Sequence, residues 1–329
     1  MASEIAWWTS PGLGIAQGYG YTAVSMIEAL QRKGVKVWFD SADPKCHISF
    51  IQPQMYRGSR EQYRIGYTPW ESTEVPQYWL EKMREMDEVW TTSQFCKEVY
   101  DKYEVNDVVR CIPHGIDQEM WKIEDRYVGD HFNFLHVGGS TERKGGQKVV
   151  DAFLELYEGD PFYQLIMKSN GPSEARWSKG GKYMGNISSH PQVKVIESKL
   201  TTDQLVALYN KAHCMVYPSS GEGWGMIPWQ AISTGMPTIC TNATGMTEFA
   251  ELSLPLQWEW TEGNGIHLGL WAEPDLNHLR ELMTHVVENF NEVKVKTMNS
   301  AKVVHATQTW DDIATLILET LGDRVDQVA

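Results

Sequence analysis

Glu222 and Gln230 lie in the stretch YPSSGEGWGMIPWQAISTGMP at 217–237, with seven residues between them. An apolar run at 214–217 stops at Pro218, glycines follow at 221, 223 and 225, and a helical pattern starts near Ile227. That order is strand, loop, helix. Glycine backbone can approach a ligand closely, and a helix N-terminus offers unpaired N–H groups and a positive dipole end, so Gly221, Gly223, Trp224 and Gly225 predict an anion site. A carboxylate at 222 is costly beside an anion unless it faces hydroxyls. The guest should carry both phosphate and sugar. Gln230, about two turns into the helix, reaches such an elongated ligand from its other end. Glycine turns after strands are common in α/β proteins, and the spacing of 222 and 230 is what adds weight.

Elements with strand and helix patterns alternate twice over around this motif. Runs at 5–9, 35–39, 48–51, 64–68, 88–91 and 108–112 read as strands, with a helix from about 23 to 33, another along Trp79, Leu80, Met83 and Met86, and a third capped by Ser93. A polar stretch at 117–131 reads as a linker. Strands follow at 133–137, 165–168, 193–197, 214–217 and 238–241, with a capping box at Thr201 and Gln204 and helices at 275–289, 293–305 and 310–321. Residues 180–190 read as a mobile insertion. The most economical architecture is α/β, two Rossmann-like doubly wound parallel-sheet domains facing a cleft.

Trp70 and Glu71 follow the strand at 64–68, at the sheet edge where open α/β folds bind ligands, and are candidates for an acceptor-side site. Glu71 reads equally as a cap for the next helix. Lys168, closing the run at 165–168, is a candidate phosphate contact. His114, in the turn Pro113-His114-Gly115-Ile116-Asp117, reads either as acceptor-side or as a structural turn residue.

The 329 residues suit two domains, and 42% hydrophobic with 22% charged is globular. No run is long and apolar enough for a membrane span, and the start lacks a signal-peptide pattern, so a soluble, cytoplasmic protein without stable membrane insertion is expected. Five dispersed cysteines suggest reduced thiols and no zinc site. A formal charge of −14 disfavours nucleic acid and anionic membranes, while fourteen tryptophans suit stacking on sugars or bases.

The 217–237 segment resembles the Glu-x7-Glu signature of retaining, GT-B-type glycosyltransferases of family 4, with Gln230 in place of the second Glu. The turn at 113–117, the segment 133–145, the Gly-Gly-x-x-Glu-like turn ending at Glu248 and the helix at 310–321 are similar to the same family. Some bacteriophage transferases are among the relatives this suggests. The resemblance implies that Glu222 meets the donor sugar, the glycine backbone the diphosphate, and Gln230 the ribose. An amide both accepts and donates, so ribose binding survives the substitution. In the family an Arg and a Lys clamp the diphosphate. Lys144 is kept, Gly139 occupies the Arg position, and Arg143 is the expected substitute. The glycine loop at 10–22, with Gly12 and Gly14, resembles the first-strand loop that faces the donor. Domains are expected at 1–128 on the acceptor side and 129–305 on the nucleotide-sugar side, with a helix at 306–329 packing back on the first.

The implied activity is transfer of a hexose from a nucleotide-sugar such as a UDP- or GDP-sugar to an acceptor hydroxyl, with retention. Glu222 orients the donor and Lys144 stabilises the leaving group. No Asp-x-Asp pair occurs, so no essential metal and no cofactor beyond the co-substrate are expected. A glycogen-type phosphorolysis is disfavoured by length, and a non-catalytic nucleotide-sugar-binding module is the alternative. The acceptor is open: a soluble glycan, protein, small molecule or hydroxymethylated DNA base. DNA would need a basic strip, for which Arg57, Arg60 and Arg64 are the candidates.

Overall fold

The computed structural model describes residues 3–10, 18–139, 141–179, 182–324 and 326–327. The first sheet contains β1 (Ser3–Trp8), β2 (Lys36–Phe39), β3 (Cys46–Phe50), β4 (Tyr63–Tyr67), β5 (Glu88–Thr91) and β6 (Val109–Cys111). These strands are parallel, in the order β2-β1-β3-β4-β5-β6. β3 and β5 are buried along their whole length, because both faces of a parallel sheet are covered. Between the strands lie α1 (Gly18–Arg32), α2 (Gln77–Arg84) and α3 (Gln94–Lys102). α1 begins earlier than its sequence pattern predicts. The Tyr19 hydroxyl meets Thr68 Oγ1 at 2.7 Å and Trp121 Nε1 donates to Tyr21 at 3.1 Å, contacts that offset a helix cost of about 1 kcal/mol per glycine at Gly18 and Gly20.

The second sheet contains β7 (Phe132–Val137) and β8 (Tyr163–Lys168), followed by a small hairpin of β9 (Arg176–Lys179) and β10 (Lys182–Asn186). It continues with β11 (Val193–Ile196), β12 (Cys214–Tyr217), β13 (Thr238–Thr241) and β14 (Leu254–Leu256). Six of these form a parallel sheet in the order β11-β8-β7-β12-β13-β14. Its helices are α4 (Gly146–Tyr157), α5 (Thr202–Lys211), α6 (Met226–Ser233), α7 (Leu276–Glu288) and α8 (Phe290–Thr307). The expected mobile insertion at 180–190 is, in its described part, β10 and a 3₁₀ turn. Ile187 in that turn is fully buried and anchors it to the core. A second hairpin, β15 (Trp258–Glu262) and β16 (Leu270–Pro274), has no counterpart in the sequence reading.

The stretch at 117–131 is irregular, yet it is no free linker. Trp121 is fully buried, and Arg126 donates to the carbonyls of Ala212 and Thr234 at 3.0 and 2.7 Å. α9 (Trp310–Leu321) is capped by Thr309 and Asp312, and it buries Trp310, Ile313, Ala314, Ile317 and Leu321 in the core beneath the first sheet. At about 2 kcal/mol for each fully buried large apolar side chain, this contact holds the chain end against the first lobe. Gly115 is what lets it start there, because a Cβ at 115 would lie 2.6 Å from the Trp310 nitrogen. A short final strand, β17 (Asp326–Gln327), pairs antiparallel with the start of β1. Among the described residues no helix is long and apolar enough to cross a membrane.

Candidate active site

Glu222 follows β12 and its carboxylate is the hub of a buried polar cluster. Oε1 accepts from Lys144 Nζ at 2.5 Å, Ser219 Oγ at 2.7 Å, the Tyr217 hydroxyl at 2.9 Å and Arg143 Nη1 at 3.1 Å. Burial alone would raise the Glu222 carboxyl, but Lys144 and Arg143, helped by Ser219, hold it down at about 2. Burial and the adjacent Arg143 push the Lys144 ammonium below its ordinary value in spite of Glu222. The peptide of Glu222 is gripped as well. Its N–H donates to Thr244 Oγ1 at 3.0 Å and its carbonyl accepts from Gly245 N at 2.8 Å. Thr244 has φ +54°, a strained value for a β-branched residue, at the position where the Gly-Gly-x-x-Glu pattern has glycine. Tyr217, Ser219 and Thr244 were not singled out from sequence, because hydroxyl residues near a loop carry no distinctive spacing.

Two of the loop glycines are needed for the packing of the lobes. A Cβ on Gly221 would stand 2.0 Å from the Glu71 carbonyl oxygen, and one on Gly223 would stand 2.1 Å from Pro69 Cβ. Both glycines make room for the first lobe. Thr92 Oγ1 then donates across the lobes to the Gly223 carbonyl at 2.6 Å. Gly225 has φ +101° and forms the N-cap of α6. Trp224 also departs from its predicted place at the donor. It is 3% exposed and packed among His114, Trp229 and Phe249, because an indole between two lobes is worth more in an aromatic core than in water.

A cavity of about 450 Å³ opens between the lobes beside this cluster. Gly139, Lys144, Lys168 and Gln230 line it from the second lobe, and Gly18 and Tyr21 from the first. Gln230 Oε1 is buried there without a hydrogen-bond partner among the described residues. The Lys168 ammonium, on a residue 4% exposed, donates to Ser169 O at 2.5 Å and Asn170 Oδ1 at 2.7 Å and has no carboxylate partner among the described residues. Space at Gly139 is open, since a Cβ there would touch nothing within 4 Å. Gly12 and Gly14 lie outside the described residues. Arg143, the expected stand-in for a diphosphate Arg, does not line the cavity: it bonds the Gly221 carbonyl and lies between Glu222 and Glu71.

On the first lobe, Glu71 is no helix cap, since α2 starts only at Gln77 behind Pro76. Its Oε1 lies 3.7 Å from Arg143 Nη2 and its Oε2 3.7 Å from His267 Nε2. Burial works upward on Glu71, and Arg143 and His267 outweigh it, holding the carboxyl below its usual range. Trp70 is buried instead of facing an acceptor: Nε1 donates to Glu74 O at 2.9 Å, the ring meets Trp79 edge-on, and His267 stacks on it. His114 is likewise buried, among Phe50, Trp224 and Trp310, with both ring nitrogens unpartnered among the described residues and its pKa driven by burial down to about 3. It does not line the cavity. Of the candidate basic residues for a DNA acceptor, Arg57 is paired to Asp40 and Arg64 to Asp87.

Residues 91–316 match the family described as "Family 4 Glycosyltransferase in conflict systems". The chain belongs to that family. A putative glycosyltransferase of a Sulfolobus islandicus filamentous virus is 21% identical to this family 4 chain over 224 residues, 64% of the chain and 59% of the viral protein. A D-inositol 3-phosphate glycosyltransferase of Corynebacterium efficiens is 26% identical over 113 residues, 33% of the chain and 26% of that protein. The family 4 chain thus spans well under two thirds of both curated relatives. Among solved structures, sucrose-phosphate synthase from Thermosynechococcus elongatus superposes with a TM-score of 0.71 at 16% identity, covering 96% of this chain and 98% of that one. Anabaena HepE in complex with UDP-glucose superposes with a TM-score of 0.69 at 12% identity, covering 97% and 99%. The fold is GT-B, two sheets each built on six parallel strands, with their helices.

Proposed function

We propose that this family 4 glycosyltransferase moves a hexosyl group from a nucleoside-diphosphate sugar to an acceptor hydroxyl with retained anomeric configuration and without a metal ion. The observation that carries the reading is the unpartnered Gln230 oxygen in the same cavity as Lys144 and Lys168. An orphaned acceptor suits a ribose hydroxyl, and two ammonium groups suit a diphosphate. In the reaction the bond from the anomeric carbon to the phosphate oxygen breaks, and a bond to the acceptor oxygen forms on the same face. The acceptor proton passes to the departing phosphate, so no separate protein base is required. Lys144 and Lys168 stabilise the charge that grows on the leaving diphosphate, and Glu222, kept ionised, holds sugar hydroxyls. Residues 1–128 form the acceptor-side lobe and 129–305 the donor-side lobe, with 306–329 returning to the first.

Thermal stabilisation by a panel of UDP-, GDP-, ADP- and TDP-sugars tests the reading, followed by release of nucleoside diphosphate from the best binder and NMR assignment of the product anomer. Stabilisation with slow release supports the transferase. Binding with no release under any condition supports a nucleotide-sugar-binding module, for which the loss of the second acid at Gln230 speaks. No stabilisation by any of them overturns both.

A further inference from the structure

We propose that Glu71 and His267 form the acceptor-orienting pair of the cleft and that they select an uncharged, hydroxyl-rich acceptor. The inference rests on the transferase reading above and deepens it. His267 sits in the turn between β15 and β16, a hairpin whose second strand is bonded to both lobes. Ala272 N donates to Ser220 O at 2.8 Å on the second lobe, while Thr73 N donates to Leu270 O at 3.0 Å and Leu270 N to Thr73 Oγ1 at 2.7 Å on the first. Its ring is stacked on Trp70 and flanked by Trp271, so its direction is set by packing.

The spacing of the pair is what points to a ligand. At 3.7 Å the carboxylate and the imidazole stand beyond ordinary hydrogen-bond distance, and among the described residues the Glu71 carboxylate has no partner closer than Arg143 and His267, although it is only 24% exposed. A hydroxyl between them accepts from the imidazole N–H and donates to the carboxylate, completing both. Position agrees, because the Glu71 backbone presses on Gly221, next to Glu222, and Arg143 spans the two carboxylates. Glu71 therefore faces the sugar-handling residue from the opposite lobe.

Charge decides the acceptor class. Arg143 is shared by two carboxylates and Lys144 is held by Glu222, so an acceptor phosphate here would meet two negative groups beside cations that are already paired. A neutral sugar or polyol meets no such opposition.

The test uses the full chain with its best nucleotide-sugar donor and three acceptors: water, methyl α-D-glucopyranoside and glucose 6-phosphate. Transfer to the neutral glucoside is expected to exceed transfer to glucose 6-phosphate by about tenfold or more in kcat/KM. His267→Ala should raise the acceptor KM by about tenfold, well beyond any change in donor KM, and His267→Asn should recover part of the loss. Trp260→Ala, on the exposed side of the same hairpin, is the control and should leave both KM values unchanged. Preference for glucose 6-phosphate, donor hydrolysis with no transfer to the glucoside, or an unaltered acceptor KM in His267→Ala would each overturn the proposal. Failure of the unmodified protein to release nucleoside diphosphate even to water would count against the transferase reading itself, which distinguishes the two failures.

Discussion

Gly223 rests directly on Pro69 across the lobe boundary, so close that a methyl group at 223 would stand 2.1 Å from the proline Cβ. The active-site loop is therefore fitted closely to the other lobe. Gly223→Ala forces Pro69 or the loop to move. Overpacking of this kind costs about 1–3 kcal/mol, read as a lower midpoint in urea denaturation. Transfer should fall further than donor binding, because the displaced loop carries Glu222. An unchanged midpoint would mean that the lobes do not meet as described.

The Glu222 cluster gives a pH signature. The folded carboxyl sits at about 2 against an ordinary 4.5, so the unfolded chain takes up the proton first as pH falls. The stabilisation is complete above about pH 4.5 and is lost as pH falls towards 2, and a depression of this size corresponds to about 3 kcal/mol. Glu222→Gln should be less stable than the unmodified protein at neutral pH, with the gap closing between about pH 4.5 and 2. Urea midpoints measured along that range provide the check, and a gap constant with pH would remove Lys144 and Arg143 as partners of an ionised Glu222.

How much of this was legible in the sequence follows from what each signal encodes. Alternating apolar runs and helical periods are set by each element's own burial, so the two parallel sheets and the strand-loop-helix at Glu222 could be read directly. A glycine reports only that a side chain is excluded. Sequence alone does not reveal whether a phosphate or Glu71 and Pro69 press on Gly221 and Gly223. His267 was hidden for a different reason. Its hairpin did carry a signal, with Trp258 and Trp260 alternating with Glu259 and a Gly263-Asn264-Gly265 turn, but its meaning depends on reaching the first lobe. Arg143 was assigned to the donor because charge pattern cannot show direction.

Thr244 offers a separable test of strain against function. Thr244→Gly relieves a left-handed backbone, worth about 1 kcal/mol, and removes the Oγ1 acceptor of the Glu222 N–H, costing about 1 kcal/mol. Stability should stay nearly level. The rate should nevertheless fall, by about tenfold in kcat, because the Glu222 peptide loses one of its two anchors. Equal kcat for the two proteins would show that Gly245 alone positions Glu222.

Lys144 and Lys168 divide the work expected of the diphosphate pocket. Lys144→Ala removes a cation from the cavity and also leaves Glu222 with one fewer partner, so kcat should drop by about a hundredfold. Lys168→Met keeps the Glu222 cluster intact and should act mainly on nucleoside diphosphate affinity, weakening it by about tenfold in calorimetric titration. If a divalent ion carried the leaving-group charge instead, EDTA would abolish turnover and both lysine variants would be mild. With the lysines in that role, EDTA leaves the rate within about twofold and the double variant retains nucleoside binding through Gln230 but no measurable transfer. The comparison of EDTA with the two lysine variants, made on one donor at one ionic strength, decides which positive charge the departing diphosphate leans on.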